Sequence, residues 1–538
     1  MQQPEPRWWQ TGVVYEIYPR SFADSNGDGT GDLAGITSRL GYLQWLGVDA
    51  IWIAPFYPSP MADFGYDVAD YTDVDRLFGS MADFDDLVAE AHRRSIRVLV
   101  DYVPNHTSDR HPWFVESRSS RTNPKRDWYT WRDPGPTGGP PNNWISMFAG
   151  PAWEWDEMTE QYYLHMFLKE QPDLNWRSPE VRAAMFDAAR FWLGRGVDGF
   201  RIDVAPMVMK DPELRDNPLN PSPPSGHHMG SWTTQLHEND HAHPDMHELY
   251  RSFRKLLESY PGERVSIGEL HHPDYSVWAG YYGERQDEIH VPFNFHLTYS
   301  PWTADAVRAA IEGVQAALPA GAWASWVLGN HDQPRFASAS RAGREQARVG
   351  MLALLTLRGT PTIYYGDEIG MVDVPVATAD ARDPLEQREP GRGRDPERSP
   401  MQWDSSPNAG FCAPGVEPWL PLAADAPSVN VAGQAEDPDS LLSLTRRLIT
   451  LRREHPVLHR GDFEAFGPTP PGTYAFRRIS ADGQLTIALN LTPEPRTIPG
   501  AGPGRVLIGT HPDRDGTREP GMLELRPSEA LVLEGGAP

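Results

Sequence analysis

Up to about residue 365 the chain alternates short apolar runs with stretches whose apolar residues recur at helical spacing. VVYEIY (13–18), AIWIAP (50–55) and RVLVDYV (97–103) have the length and character of strands buried on both faces. Between them lie a helix over 36–46 and a second one capped by Ser80, with Phe84, Leu87, Val88 and Ala91 at i, i+3, i+4 and i+7. The rhythm returns with Val181, Met185, Ala188, Ala189 and Trp192, a helix stopped by Gly194 and Gly196. A strand then lies within GVDGFRIDVA (196–205). Further strands follow at 265–268, ending in Glu269, more weakly at 289–294, then at 324–329 and 362–365, with helices over 247–259, 302–317 and 344–357 between them. Eight strands alternating with helices predict an α/β fold, a (β/α)8 TIM barrel with a parallel sheet.

Two stretches break this pattern. Residues 105–175 are rich in Trp, Pro, Gly and Asn and carry no long periodic helix, so they read as a small inserted domain after strand three. Beyond an amphipathic helix marked by Leu441, Leu444, Leu448 and Leu451 and ended by Pro456, short strands at 473–478, 485–489, 505–508 and 530–533 predict an antiparallel β-sandwich. The predicted organisation is barrel at 1–104, inserted domain at 105–175, barrel again at 176–456 and β domain at 457–538.

Composition narrows the partners. A net charge of −25 argues against nucleic acid and anionic membrane surfaces. Cys412 is the one cysteine, so no internal disulfide can form. MQQPEPRWWQ lacks the basic start and apolar core of a secretory signal, and no apolar run approaches the roughly 20 residues that span a bilayer. A cytoplasmic protein is expected.

In a barrel of this kind, residues at the C-terminal strand ends meet at one mouth. Asp203, Glu269 and Asp332 fall at the ends of strands four, five and seven, with His106 and His331 at the exits of strands three and seven. Convergent carboxylates with imidazoles and an arginine, and no phosphate-cradling glycine loop, point to glycoside chemistry. Arg201, two residues from Asp203 on the same strand face, favours an ionised Asp203 and marks it as nucleophile; the plainer reading is a structural ion pair. Glu269 follows an apolar run with no cation before it, which predicts a raised pKa and a general acid. Asp332, beside His331, is placed to bind sugar hydroxyls.

DSNGDGTGD (24–32) sets acidic or amide side chains at 24, 26, 28 and 32, a spacing that suits either a hard cation or a solvated Asx-rich turn. His227, His228, His237, His241 and His243 lie in a proline-rich excursion without regular ligand spacing, which favours a loop facing solvent or substrate over a zinc site.

The chain resembles the α-amylase family of glycoside hydrolases, family 13, and in particular its oligo-1,6-glucosidase and α-glucosidase branch. DYVPNH (101–106), GFRIDVA (199–205), IGEL (267–270) and GNHDQPR (329–335) match its four conserved regions in order, and QPDLNW (171–176) a fifth typical of oligo-1,6-glucosidases. The resemblance implies Asp203 as nucleophile, Glu269 as acid/base and Asp332 as transition-state stabiliser. It implies substrate contacts from Asp63, Tyr66, His106, Phe167, Arg201 and His331, with Arg398 joining Asp63 to close the pocket around one terminal glucose. It implies one structural calcium or magnesium ion held by Asp24, Asn26, Asp28, Asp32 and the carbonyl of Thr30, and no organic cofactor.

The expected activity is a retaining exo-α-glucosidase on small α-glucosides such as maltose, isomaltose, sucrose or trehalose, with transglycosylation, acting as a monomer or small homo-oligomer. Valine at 204 leans towards α-1,6 links in this branch. A sucrose or maltose isomerase or other transglucosylase shares every one of these motifs. Non-catalytic transporter heavy chains of the family carry a membrane span and lose carboxylates; this chain keeps all three acids.

Overall fold

The computed structural model describes residues 6–223 and 230–535. Eight strands make one parallel sheet: β1 (Val14–Ile17), β2 (Ala50–Ile53), β3 (Arg97–Tyr102), β4 (Gly199–Ile202), β5 (Val265–Leu270), β6 (Val291–Asn294), β7 (Ser325–Val327) and β8 (Thr360–Tyr364). They follow one another around the barrel from β7 and β8 through β1 to β6. The seam between β6 and β7 is bridged by side chains: Asn294 donates to the Ser325 carbonyl, and the Thr298 hydroxyl to that of Val327 at 3.0 Å. The barrel and the C-terminal antiparallel domain are those the hydrophobic pattern predicts.

Why the sheet carries a site at one end follows from its period of two. Val14, Ala50, Leu99, Val265 and Val291 share one apolar cluster inside the barrel. Two residues further along β1, β2 and β3 come Glu16, Trp52 and Asp101, and the corresponding polar residue of β4 is Arg201, paired in register with Asp101. The apolar plug thus gives way to charge towards the C-terminal ends. Gly199 lets β4 and β5 approach, since a Cβ there would sit 2.2 Å from the Val265 carbonyl oxygen. β5 runs one residue past Glu269, to Leu270, so Glu269 lies inside the strand, paired with Phe293 of β6, where the sequence places it as the strand's last residue.

Helices flank the strands. Leu33–Leu46 begins three residues before the apolar pattern because Asp32 caps it, accepting from the Gly35 amide at 2.6 Å, and it ends at Gly47 in the left-handed region (φ 99°). Ser80 and Asp83 form a capping box for Met81–Arg93, and Ser178 caps Pro179–Gly194.

The segment between β3 and Pro179 holds a helix, Pro112–Ser119, and a three-stranded antiparallel sheet of Trp131–Arg132, Gln161–Leu164 and Trp153–Asp156. Lys210, in the loop after β4, reaches into this segment: its Nζ donates to Asn105 Oδ1 at 2.7 Å and pairs with buried Asp173.

At the C-terminus a six-stranded sheet faces a two-stranded one, Arg496–Pro499 with Met522–Leu525. Ala475, Ala488, Leu531 and Leu533 of the first pack on Ile498, Leu523 and Leu525 of the second. Besides the four expected strands this domain contains Asp462–Phe466, Arg496–Pro499, Arg518–Glu519 and Met522–Leu525. Among the described residues no helix is long and apolar enough to cross a membrane.

Candidate active site

A cavity of about 220 Å³ opens at the C-terminal end of the barrel, and Asp203, Glu269 and Asp332 all line it, together with Asp63, Tyr66, His106 and Phe167. Arg201, His331 and Arg398 stand behind this wall and hold the carboxylates in place.

Arg201, buried at the end of β4, is the hub. Its Nη1 lies 2.6 Å from Asp203 Oδ1 and 3.0 Å from Asp101 Oδ1, and its Nη2 lies 2.5 Å from Glu269 Oε2. The guanidinium also sits over the Trp52 ring, 4.9 Å from its centroid. One cation is therefore shared by three acids. Asp203 hangs from the strand end, its amide donating to the Tyr102 carbonyl at 2.9 Å. The next residue, Val204, is forced to φ 35°, ψ 48°, a strained conformation for a β-branched side chain, and this turns its amide onto Glu269 Oε2 at 2.9 Å.

These contacts correct the electrostatic reading of the sequence. Glu269 is not without a cation: Arg201 is on one oxygen, and His271 Nε2 is 2.7 Å from the other. Burial alone would raise the Glu269 pKa, but Arg201 and His271 bring it down to about 2. Burial pushes Asp203 well above the usual carboxylate range, and the charges of Glu269 and Asp101 add to this against the pull of Arg201.

Asp332 has a different setting. Its Oδ1 accepts from Arg398 Nη2 at 2.8 Å and Arg394 Nη1 at 3.1 Å, and its Oδ2 lies 3.1 Å from His331 Nε2. Against burial, His331 and these arginines hold its pKa well below the ordinary value. His331 in turn sits between Tyr18 and Tyr66, both stacked on it, with Nδ1 2.6 Å from Glu16 Oε1. Burial would discharge the imidazole, but Asp332 and Glu16 raise its pKa to about 9. His106 is the opposite case: burial, then the charge of Lys210, takes it down to about 3. It is neutral, accepting from Asn105 Nδ2 at Nδ1 (3.1 Å) and donating from Nε2 to the Tyr66 carbonyl (3.2 Å).

The arginine that meets Asp63 is Arg394 and not Arg398. Arg394 Nη2 is 2.6 Å from Asp63 Oδ1, while its Nε and Nη2 also grip Asp383 at 2.7 and 3.0 Å. Arg398, four residues on and fully buried, spends its Nε on the His331 carbonyl at 2.7 Å. Both arginines lie in GRGRDPERSP, and the spacing alone does not tell which one reaches across. Gln171 Nε2 completes the Asp63 end, 3.1 Å from Oδ2. Glu16, Gln171, His271, Tyr299, Asp383 and Arg394 are the functional-site residues that sequence reasoning missed. For Glu16 a signal was present, a carboxylate inside the apolar run VVYEIY.

The loop at 24–32 lies apart from this cavity. Its oxygens are of the kind a hard cation takes. Here they bond to the loop itself: Asp24 Oδ1 accepts from the Asn26 and Gly27 amides (3.0 and 2.6 Å), Asp28 Oδ1 from Thr30 (2.8 Å), and Asp32 from Ser25 and Gly35. Among the described residues no three His, Cys, Asp or Glu side chains converge as metal ligands. In the histidine-rich excursion, His237 is bound to Asp240 (3.0 Å) and the Trp232 carbonyl (2.7 Å), while Trp232 and His241 line the catalytic cavity. His227 and His228 fall outside the described residues.

Comparison with known proteins agrees with this site. The family profile described as "Alpha amylase, catalytic domain" matches residues 16–461. A protein named as a probable α-glucosidase of Rhizobium meliloti (strain 1021) is 43% identical over 507 residues, covering 92% of this chain and 91% of its own length. The oligo-1,6-glucosidase of Parageobacillus thermoglucosidasius is 38% identical over 570 residues, covering 98% and 99%. Among solved structures, the α-glucosyl transfer enzyme XgtA superposes with a TM-score of 0.93 at 40% identity, covering 99% of this chain and all of that one.

Proposed function

Since this chain belongs to the family of the α-amylase catalytic domain, we propose that it is a retaining, exo-acting α-glucosidase on short α-glucosides. The observation that carries the reading is one guanidinium, Arg201, binding Asp203 and Glu269 at 2.6 and 2.5 Å beneath a cavity that Asp63 and Arg394, paired with each other, also line. Two carboxylates bound to one guanidinium are placed to act on the same anomeric carbon, as a covalent glucosyl intermediate requires.

In the working cycle Asp203 attacks C1 of the terminal glucose as a carboxylate, while Glu269 gives its proton to the glycosidic oxygen and the aglycone leaves. Water, losing a proton to Glu269, then attacks the same carbon and frees Asp203, so the anomeric configuration is retained. The chemistry needs Asp203 ionised and Glu269 protonated with the sugar in place, and Arg201, bound to both, couples their two charges. Asp332, kept ionised by His331 and two arginines, stabilises the positive charge that develops at the ring. Arg394 and Asp63, which line the cavity, are placed for the outer hydroxyls of that glucose.

Maltose, isomaltose, sucrose and trehalose are the proposed substrates, with acceptor sugars competing against water; the likeness to XgtA supports a transfer component. A panel of these disaccharides, with products followed by NMR, tests the reading: α-glucose must appear first, as the retained anomer. Asp203→Asn should lower kcat by on the order of 10⁴-fold or more. Undiminished hydrolysis by that variant would refute the nucleophile assignment. One calcium or magnesium ion in loop 24–32 belongs to the proposal, supported by the oxygen-only donor set; no catalytic step passes through it.

A further inference from the structure

Glu269 is held from two sides, and the second side belongs to residues that no motif of the family names. His271 Nε2 lies 2.7 Å from Glu269 Oε1, and the other ring nitrogen, Nδ1, is bonded to the hydroxyl of Tyr299. Phe295 lies flat on the imidazole with centroids 4.0 Å apart, and Tyr299 lies flat on Phe295 at 5.4 Å, so the rings form one stack.

An ionised Glu269 can only accept, so Nε2 donates to it. Burial raises the Tyr299 pKa well above its ordinary value, so the phenol keeps its proton and is able to donate to Nδ1 in turn. The opposite oxygen, Oε2, takes the Val204 amide and Arg201. His271 and Tyr299 also line a second cavity of about 650 Å³ that adjoins the catalytic one, so they hold the acid/base on the side where a leaving group or acceptor has room.

We propose that His271, oriented by Tyr299, is a positioning residue that aims the Glu269 carboxyl group for proton transfer at the glycosidic oxygen. The inference rests on Glu269 being the acid/base of the proposed function. The charged groups facing Glu269 are Arg201 and Asp203 at the end of β4, Asp332 after β7 and Asp101 on β3; His271 itself is bonded to Glu269 and Tyr299, with His241, stacked on the neighbouring His272, as the other titratable ring near it. Loss of the Nε2 donor removes an influence favouring the ionised carboxylate, so the pH profile of kcat/KM moves to higher pH.

The test uses the full-length chain with His271→Phe, which keeps the stack on Phe295, alongside Tyr299→Phe, His271→Gln and Glu269→Gln. Substrates are maltose or isomaltose, which need acid help, and an aryl α-glucoside with an activated leaving group, which does not. For His271→Phe, kcat/KM on the disaccharide should fall by on the order of tenfold or more, with less than about threefold lost on the aryl substrate. Tyr299→Phe should show the same split more weakly, and His271→Gln, which restores a donor, should recover part of it. Equal losses on both substrates, or an unmoved pH profile, overturn the proposal. Glu269→Gln separates the two levels: if it lacks the split, the acid/base assignment fails and the inference with it; if it shows the split and His271→Phe does not, only the inference fails.

Discussion

Glu16 shows how far a single buried carboxylate reaches. It is fully buried on β1, yet it fixes the ring of a histidine 315 positions away and so acts on Asp332 at one remove. With the folded pKa of His331 near 9, above the unfolded 6.5, the imidazolium stabilises the fold fully below about pH 6.5, and this is lost as pH rises through 9. Glu16→Gln, which leaves Asp332 on the ring, should partly flatten the dependence of melting temperature on pH across that window; an unchanged slope would show that Asp332 alone holds the charge. Arg394 makes a second case. Its fork spans Asp63, Asp332 and Asp383, which a lysine cannot reproduce, so Arg394→Lys should raise KM for disaccharides about tenfold with a smaller change in kcat. At this scale the sequence located three acids in motifs, Asp203, Glu269 and Asp332, that the fold brings to one cavity. It was silent where function depends on which distant side chain arrives, as with Arg394 in place of Arg398 or His271 on Glu269.

Elements were easier to read than their partners. The apolar runs located every barrel strand because a strand covered on both faces is mostly apolar, even where one charge such as Glu16 or Arg201 interrupts it. The short strands at Trp131–Arg132 and Arg518–Glu519 escaped, being two residues long and held by pairing rather than by pattern. Nor does periodicity reveal what ties the inserted segment to the barrel. Lys210 from the loop after β4 crosses to Asp173, which is wholly buried and accepts from Asn105 Nδ2 and the Met166 amide at 3.1 and 3.0 Å. Lys210→Met leaves that carboxylate buried without its cation, a loss of about 3–5 kcal/mol. Burial already pushes the Asp173 pKa up, so the deficit should shrink as pH falls and the acid protonates. Urea midpoints of the variant at two pH values check both the size and the sign.

For the molecule as a whole, arginines join the parts. Arg478 of the C-terminal sheet donates to the carbonyl of Thr356 in the barrel, and Arg348 of the barrel to that of Thr510 in the β domain, while Arg452 on the last barrel helix ties Thr11, Leu355 and Gly359 together. Barrel and β domain therefore share hydrogen bonds and should unfold in one transition. If loop 24–32 holds a cation as proposed, exhaustive chelation should lower the temperature of that transition while kcat measured below it stays the same, because the loop lies apart from the cavity. A melting curve indifferent to chelator would remove the ion from the account.

In the proposed reading, the ion pair of Asp63 with Arg394, both of which line the catalytic cavity, gives it a blind end. A polymer cannot thread such a recess; it has to present a terminus. For equal weights of short and long glucan the protein would meet far more usable termini in the short one, so its turnover should follow the number of molecules in solution and not their mass.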